Sequence, residues 1–181
     1  MPKIESCLPG FIAGDEAAFK TLYLETSGLL YRVVFHMTGV REEAEDILHD
    51  VYVRAYEKRK SYRPELSSLR TWLYRIAVNQ TLNQLKRRRW LDGNLGRLFG
   101  RPAEPDVLDA YLETEEGQSV QRLLRRLPEN FRICLVLRDI EEKSYAEIAA
   151  VLNIEPGTVK SRIARGRKLL KTMYDREGRR K

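Results

Sequence analysis

Along most of this chain, apolar residues recur at the three- and four-residue spacing of amphipathic helices. Asp15 is placed to cap a helix carrying Ala18, Phe19, Leu22 and Tyr23. Ser27-Gly28 permits a break. Leu29, Leu30, Val33, Val34 and Met37 then make a second apolar helix, ended by Gly39. Over 42–58 the stripe is Ala44, Ile47, Leu48, Val51, Tyr52 and Ala55, with Glu43, Asp46, Asp50 and Glu57 on the opposite face. Pro64 makes 59–68 a loop, and its serine pair supplies the next N-cap. A long helix over 69–89 follows, apolar on two sides. Leu69, Trp72, Leu73, Ile76 and Ala77 face one way, and Tyr74, Val78, Leu82 and Leu85 nearly the other. Such a helix lies between layers or lends one side to a partner.

The periodicity stops at 91–115, where Gly93, Gly96, Gly100, Pro102 and Pro105 interrupt it. This stretch reads as a flexible linker. Helical spacing resumes with Val120, Leu123, Leu124 and Leu127, then a helix opened by Pro128 with Phe131, Leu135 and Ile140 inward. Ser144 and Glu147 have the spacing of a capping box. Ile148, Ala149 and Leu152 give that helix its apolar face. Asn153-Ile154 breaks it, and Pro156 suits the first turn of the next. Val159, Ile163, Gly166, Leu170 and Met173 form the last buried stripe, and Thr158, Ser161, Arg165 and Lys168 lie opposite. A short helix, a turn and a basic helix with a bare polar face make a helix-turn-helix. The expected fold is all-α, with two small helical domains joined by the linker: 11–90 and 116–175, flanked by a poorly ordered tail at 1–10 and a basic tail at 176–181.

Charge sharpens this picture. The 181 residues carry a net charge of +7, which favours nucleic acid or another anionic surface. The segment 67–90 holds six basic residues and no acid, 155–181 holds ten basic and three acidic, and 91–121 holds two basic and seven acidic. Basic residues interleaved with Trp72 and Tyr74 suit single-stranded nucleic acid, where rings stack on bases and cations hold phosphates. Tyr62, in the preceding loop, is open to two readings, a structural tyrosine or a stacking platform. The acidic row on 42–58 is likewise a solvated face or a docking face for a basic partner.

Catalytic chemistry finds no support. No Ser/His/Asp set, phosphate loop or metal spacing occurs, and His36 and His49 stand alone. No cofactor or metal is expected. Cys7 and Cys134 read as buried or incidental thiols. The absence of a membrane-spanning run or signal-peptide layout points to a cytoplasmic protein without membrane insertion.

Three stretches resemble the extracytoplasmic-function (ECF) sigma factors of the bacterial sigma-70 family. AEDILHDVYVRAYE (44–57) is similar to their region 2.1–2.2. RTWLYRIAVNQTLNQLKRRR (70–89) is similar to regions 2.3 and 2.4. LPENFRICLVLRDIEEKSYAEIAAVLNIEPGTVKSRIARGRKLLK (127–171) is similar to region 4. The resemblance implies a transcription initiation factor, not an enzyme. Glu43, Asp46, Asp50 and Glu57 would dock on the β′ clamp helices of core RNA polymerase, and the second domain on its β flap. Tyr62, Arg70, Trp72, Tyr74, Asn79, Lys86, Arg87 and Arg88 would capture and melt the −10 element. Thr158, Lys160, Ser161 and Arg165 would read bases of the −35 element, while Arg162, Arg167, Lys168 and Lys171 grip phosphates. The linker would thread the polymerase, and an anti-sigma factor would cover the docking faces. Val78, Asn83 and Gly166 depart from the family pattern, the first two where −10 contacts are made. The competing readings are a stand-alone helix-turn-helix regulator of duplex DNA and an RNA-binding or nucleic-acid-processing enzyme.

Overall fold

Asp15 starts the longest helix of the first half by accepting a hydrogen bond from the Ala18 amide at 2.7 Å, and Gly39, at φ 70°, ends it. A computed structural model of the chain describes residues 3–99 and 115–178, all helices and turns. The helices are α1 (Lys3–Ser6), α2 (Leu8–Ala13), α3 (Glu16–Thr38), α4 (Arg41–Lys58) and α5 (Leu69–Phe99), then α6 (Glu115–Arg126), α7 (Glu129–Leu135), α8 (Tyr145–Leu152) and α9 (Pro156–Gly178).

In the first half α3, α4 and α5 pack on one another. The stripe expected on α4 is buried in full, from Ala44 to Ala55. Thr26 and Tyr52 share a buried hydroxyl–hydroxyl bond of 2.6 Å, and desolvation lifts the Tyr52 phenol to about 12. In the second half α9 packs across α7 and α8, burying Val159, Ile163 and Gly166.

Four expectations need correction. The stretch 3–10 is not a tail. It forms α1 and the start of α2, because Ile4, Cys7 and Phe11 are buried against the bundle. Ser27-Gly28 does not break α3, since isolated glycine in a helix costs only about 1 kcal/mol and its neighbours are packed. The first residues of the expected linker continue α5 instead of breaking it. The α5 backbone stays helical to Phe99 despite Gly93 and Gly96, and the remainder of the expected linker, 100–114, lies outside the described residues. The basic tail likewise begins inside α9, with 179–181 outside the described residues.

Helix α7 also ends differently from the periodicity. Residues Val136–Ile140 widen into a π-helical turn, with the Glu141 amide reaching back to the Val136 carbonyl at 3.1 Å. Glu142 then takes a left-handed φ of 53°. The reversal turns Glu141 toward the first half.

The two halves are docked on each other. Buried residues from both form one apolar cluster, with α3 against α6 and α7 and α5 against α8. Gln121 bonds the Phe35 and His36 carbonyls at 3.4 Å each and accepts from His36 Nδ1 at 2.7 Å. Burial lowers the His36 pKa from its ordinary value, which keeps the ring neutral. Arg132 is 7% exposed. It donates to the Met37 carbonyl at the end of α3 and to Arg125 and Leu127 at the end of α6. Desolvation lowers its pKa to about 10, so it stays charged at neutral pH.

Candidate nucleic-acid and polymerase interfaces

The helix-turn-helix is built locally. Ser144 Oγ accepts from the Glu147 amide at 3.2 Å, and Glu147 Oε2 accepts from the Ser144 amide at 2.8 Å, closing the capping box. Asn153 makes the tight turn at φ 53°, ψ 51°, a left-handed conformation that asparagine tolerates. Helix α9 then shows solvent the face opposite Val159 and Ile163. Lys160, Ser161, Arg165, Lys168 and Lys171 are exposed, and Thr158 is half-buried. Two expected phosphate contacts are already engaged. Arg167 pairs with Asp139 at 2.5 Å, and Arg162 is half-buried beside Cys134, whose thiol pKa burial raises even though the Arg162 charge acts to lower it. The remaining face is a polar, cationic stripe on one helix, the shape and charge that enter a major groove.

The aromatic-basic surface around α5 is less open. Arg70, Asn79, Lys86 and Arg87 are exposed. Trp72 is half-buried, edge-on to Phe11 and Tyr62. Tyr62 is buried, its hydroxyl donating to the Ser67 carbonyl at 2.8 Å. Tyr74 is 1% exposed. Burial, with Glu141 beside it, drives its phenol far above the ordinary range. In this conformation neither Tyr62 nor Tyr74 can stack on a base. Arg88 pairs with Glu43 at 2.8 Å, tying an expected DNA contact to an expected docking residue.

Asp46, Asp50 and Glu57 of α4 project into solvent, as a docking row requires, whereas Glu43 is half-buried and one of its oxygens has no partner. Beside the row runs an apolar groove of about 1040 Å³, lined among others by Phe19, Tyr23, Leu48, Val53 and Tyr56 and rimmed by Glu45 and Glu57. No apolar spacing in the sequence marks this groove. Tyr23, expected with the packing residues of its helix, and Val53, off the α4 stripe, are instead more than 40% exposed there. Arg32 and Glu141 carry no sequence signal, yet they bridge the halves, as does Arg75, one of the six basic residues of 67–90.

Among the described residues no His/Cys/Asp/Glu group could hold a metal ion, and no helix is long and apolar enough to cross a membrane.

Comparison with known proteins matches these elements to named families. Residues 22–91 match the family described as Sigma-70 region 2, and residues 117–170 the one described as Sigma-70, region 4. The chain is 33% identical over 168 residues to the ECF RNA polymerase sigma factor SigW of Bacillus subtilis, covering 87% of this chain and 89% of that protein. It is 31% identical over 169 residues to the ECF RNA polymerase sigma-E factor of Escherichia coli, covering 87% and 86%. Among solved structures, CnrH in complex with the cytosolic domain of CnrY has a TM-score of 0.70 at 25% identity, covering 96% of this chain and 97% of that one. The sigma factor RpoE in complex with the anti-sigma factor NepR from Bartonella quintana has a TM-score of 0.68 at 25% identity, covering 87% and 96%. Region 2 carries the acidic row and the aromatic-basic helix, region 4 carries the helix-turn-helix, and the chain belongs to the sigma-70 family as an ECF RNA polymerase sigma factor.

Proposed function

We propose that this sigma factor docks on core RNA polymerase through Asp46, Asp50 and Glu57, captures the −10 element with the α5 surface and reads the −35 element with α9. The observation that carries the reading is the bare stripe Lys160, Ser161, Arg165 and Lys168, back to back with the buried Val159 and Ile163. A helix so anchored presents base-reading and phosphate-gripping side chains at fixed spacing. The chain supplies promoter selectivity and the polymerase supplies the chemistry, in the compartment where both reside. The β′ clamp helices and the β flap are the surfaces assigned to α4 and to the region 4 half. RpoE was solved with the anti-sigma factor NepR and CnrH with the cytosolic domain of CnrY, which favours an anti-sigma factor for this chain too, with the apolar α4 groove as the face it would cover.

Run-off transcription with core polymerase, with and without the chain, is the direct test. Initiation only with the chain supports the reading, whereas a chain that shifts duplex DNA alone and adds nothing to core polymerase is a stand-alone regulator. Within the sigma reading, Arg165→Ala lowers discrimination at the −35 element by about 1–3 kcal/mol, while Lys168→Ala weakens binding to all sequences alike. Equal losses on matched and scrambled −35 duplexes for both variants refute the division of roles. Asp50→Arg abolishes core polymerase pull-down while leaving the circular dichroism melt unchanged; normal pull-down removes Asp50 from the docking face.

A further inference from the structure

Glu141 carries a carboxylate into the seam between the halves, where only 2% of its side chain is exposed. Arg32 of α3 grips it as a fork, Nε to Oε1 at 2.9 Å and Nη2 to Oε2 at 3.2 Å. The Tyr74 hydroxyl of α5 donates to Oε2 at 2.9 Å. One residue on, Arg75 donates to the Ala150 carbonyl at 2.7 Å, near the negative end of α8. Glu141, Arg70 and Arg32 act on the Tyr74 phenol, and the Lys143 ammonium lies over its ring, 4.8 Å from the centroid. The region 2 half thus contributes a guanidinium and a phenol, and Glu141 of the region 4 half answers both.

Such a set does not distinguish carboxylate from phosphate. Arginine's planar fork fits both bidentately, and a tyrosine hydroxyl donates to either. We infer that Arg32 and Tyr74 form a notch for a backbone phosphate of single-stranded promoter DNA, and that Glu141 is a tethered plug that fills it while the halves are docked. The inference rests on the sigma reading above and adds Arg32 to the DNA surface of α5. It also accounts for the burial of Tyr74 beside exposed Arg70. A tethered carboxylate competes at an effective concentration on the order of millimolar, so free DNA displaces it poorly. When polymerase holds region 4 apart, the plug leaves with the α7–α8 turn and the notch is bared.

The test uses the full chain and a fluorescein-labelled, random-sequence single strand, because phosphate is read without regard to base. Glu141→Gln keeps the shape and removes the charge. Its affinity for the strand should rise by about 5-fold or more at low salt, with a larger radius of gyration in solution scattering. Glu142→Gln makes the same change in net charge one residue away, at an exposed position, and should leave affinity unchanged. Adding Arg32→Gln to Glu141→Gln should abolish the gain. Equal gains for Glu141→Gln and Glu142→Gln, no gain for Glu141→Gln, or a gain that survives Arg32→Gln each overturn the notch. Arg32→Lys guards against misfolding, since it should keep the melt while losing most of the gain. Wild-type run-off transcription is measured in parallel. Its absence would remove the sigma reading, whereas normal transcription with unaltered strand binding by Glu141→Gln removes the notch alone.

Discussion

Ser144 and Glu147 each satisfy the other's backbone amide, and the recognition unit hangs on that reciprocity. Replacing Ser144 by Ala should cost about 1 kcal/mol, read as a lower midpoint in denaturant. The Ser144 hydrogen bonds hold the Glu147 carboxyl below its ordinary 4.5. A depressed carboxylate stabilises the fold above the unfolded value and loses that contribution as pH falls through the folded one. The stability difference between wild type and Glu147→Gln should therefore be present at neutral pH and vanish as pH drops below about 4.5. A difference that persists in acid would show that Glu147 acts through packing alone. The capping box was legible because its two residues are three apart in sequence. The engagement of Arg167 with Asp139 was not, because Asp139 lies 28 residues before it, on another element.

Periodicity made the helices with a strong apolar stripe readable. Helix α4 buries the residues the pattern names, α9 buries Val159, Ile163 and Gly166 while Leu170 and Met173 are only half-buried, and the Asp15 and Gly39 stops of α3 are where capping chemistry puts them. It failed where tertiary contact decides. Helices α1 and α2 are too short to show a period, and they exist because Ile4, Cys7 and Phe11 find the bundle. The π-helical turn after α7 carries no local signal either, and without it Glu141 would not face α3. One departure from the family pattern finds its reason here. A Cβ on Gly166 would lie 3.2 Å from Leu135 and 3.3 Å from Phe131, so α7 and α9 cross closely at that point. Gly166→Val should cost about 1–3 kcal/mol through overpacking and should weaken duplex binding by moving the base-reading face. Unchanged stability in a urea titration would mean that the crossing yields without strain.

Two domains joined by a glycine- and proline-broken linker are what the sequence predicts, and their described residues pack into one apolar cluster spanning both halves. The sequence could not announce this. The partners that join the halves, such as Arg32 with Glu141 and His36 with Gln121, stand 109 and 85 residues apart and share no repeat. Docking has a thermodynamic consequence that separation lacks, because halves sharing a buried seam unfold together. The wild type should show a single calorimetric transition, with van't Hoff and calorimetric enthalpies equal. Gln121 tests the coupling more cleanly than Arg132, since two of the three acceptors of Arg132 lie in its own half. Gln121→Ala removes the partner of the His36 ring and one donor to each of the Phe35 and His36 carbonyls, at a cost of about 1–3 kcal/mol. That loss falls on the seam, so the variant should unfold in two steps, region 4 first. Two transitions already present in the wild type would show that the halves are thermodynamically independent. The Glu141 plug would then have no closed state to hold, and DNA would compete only with a passing carboxylate.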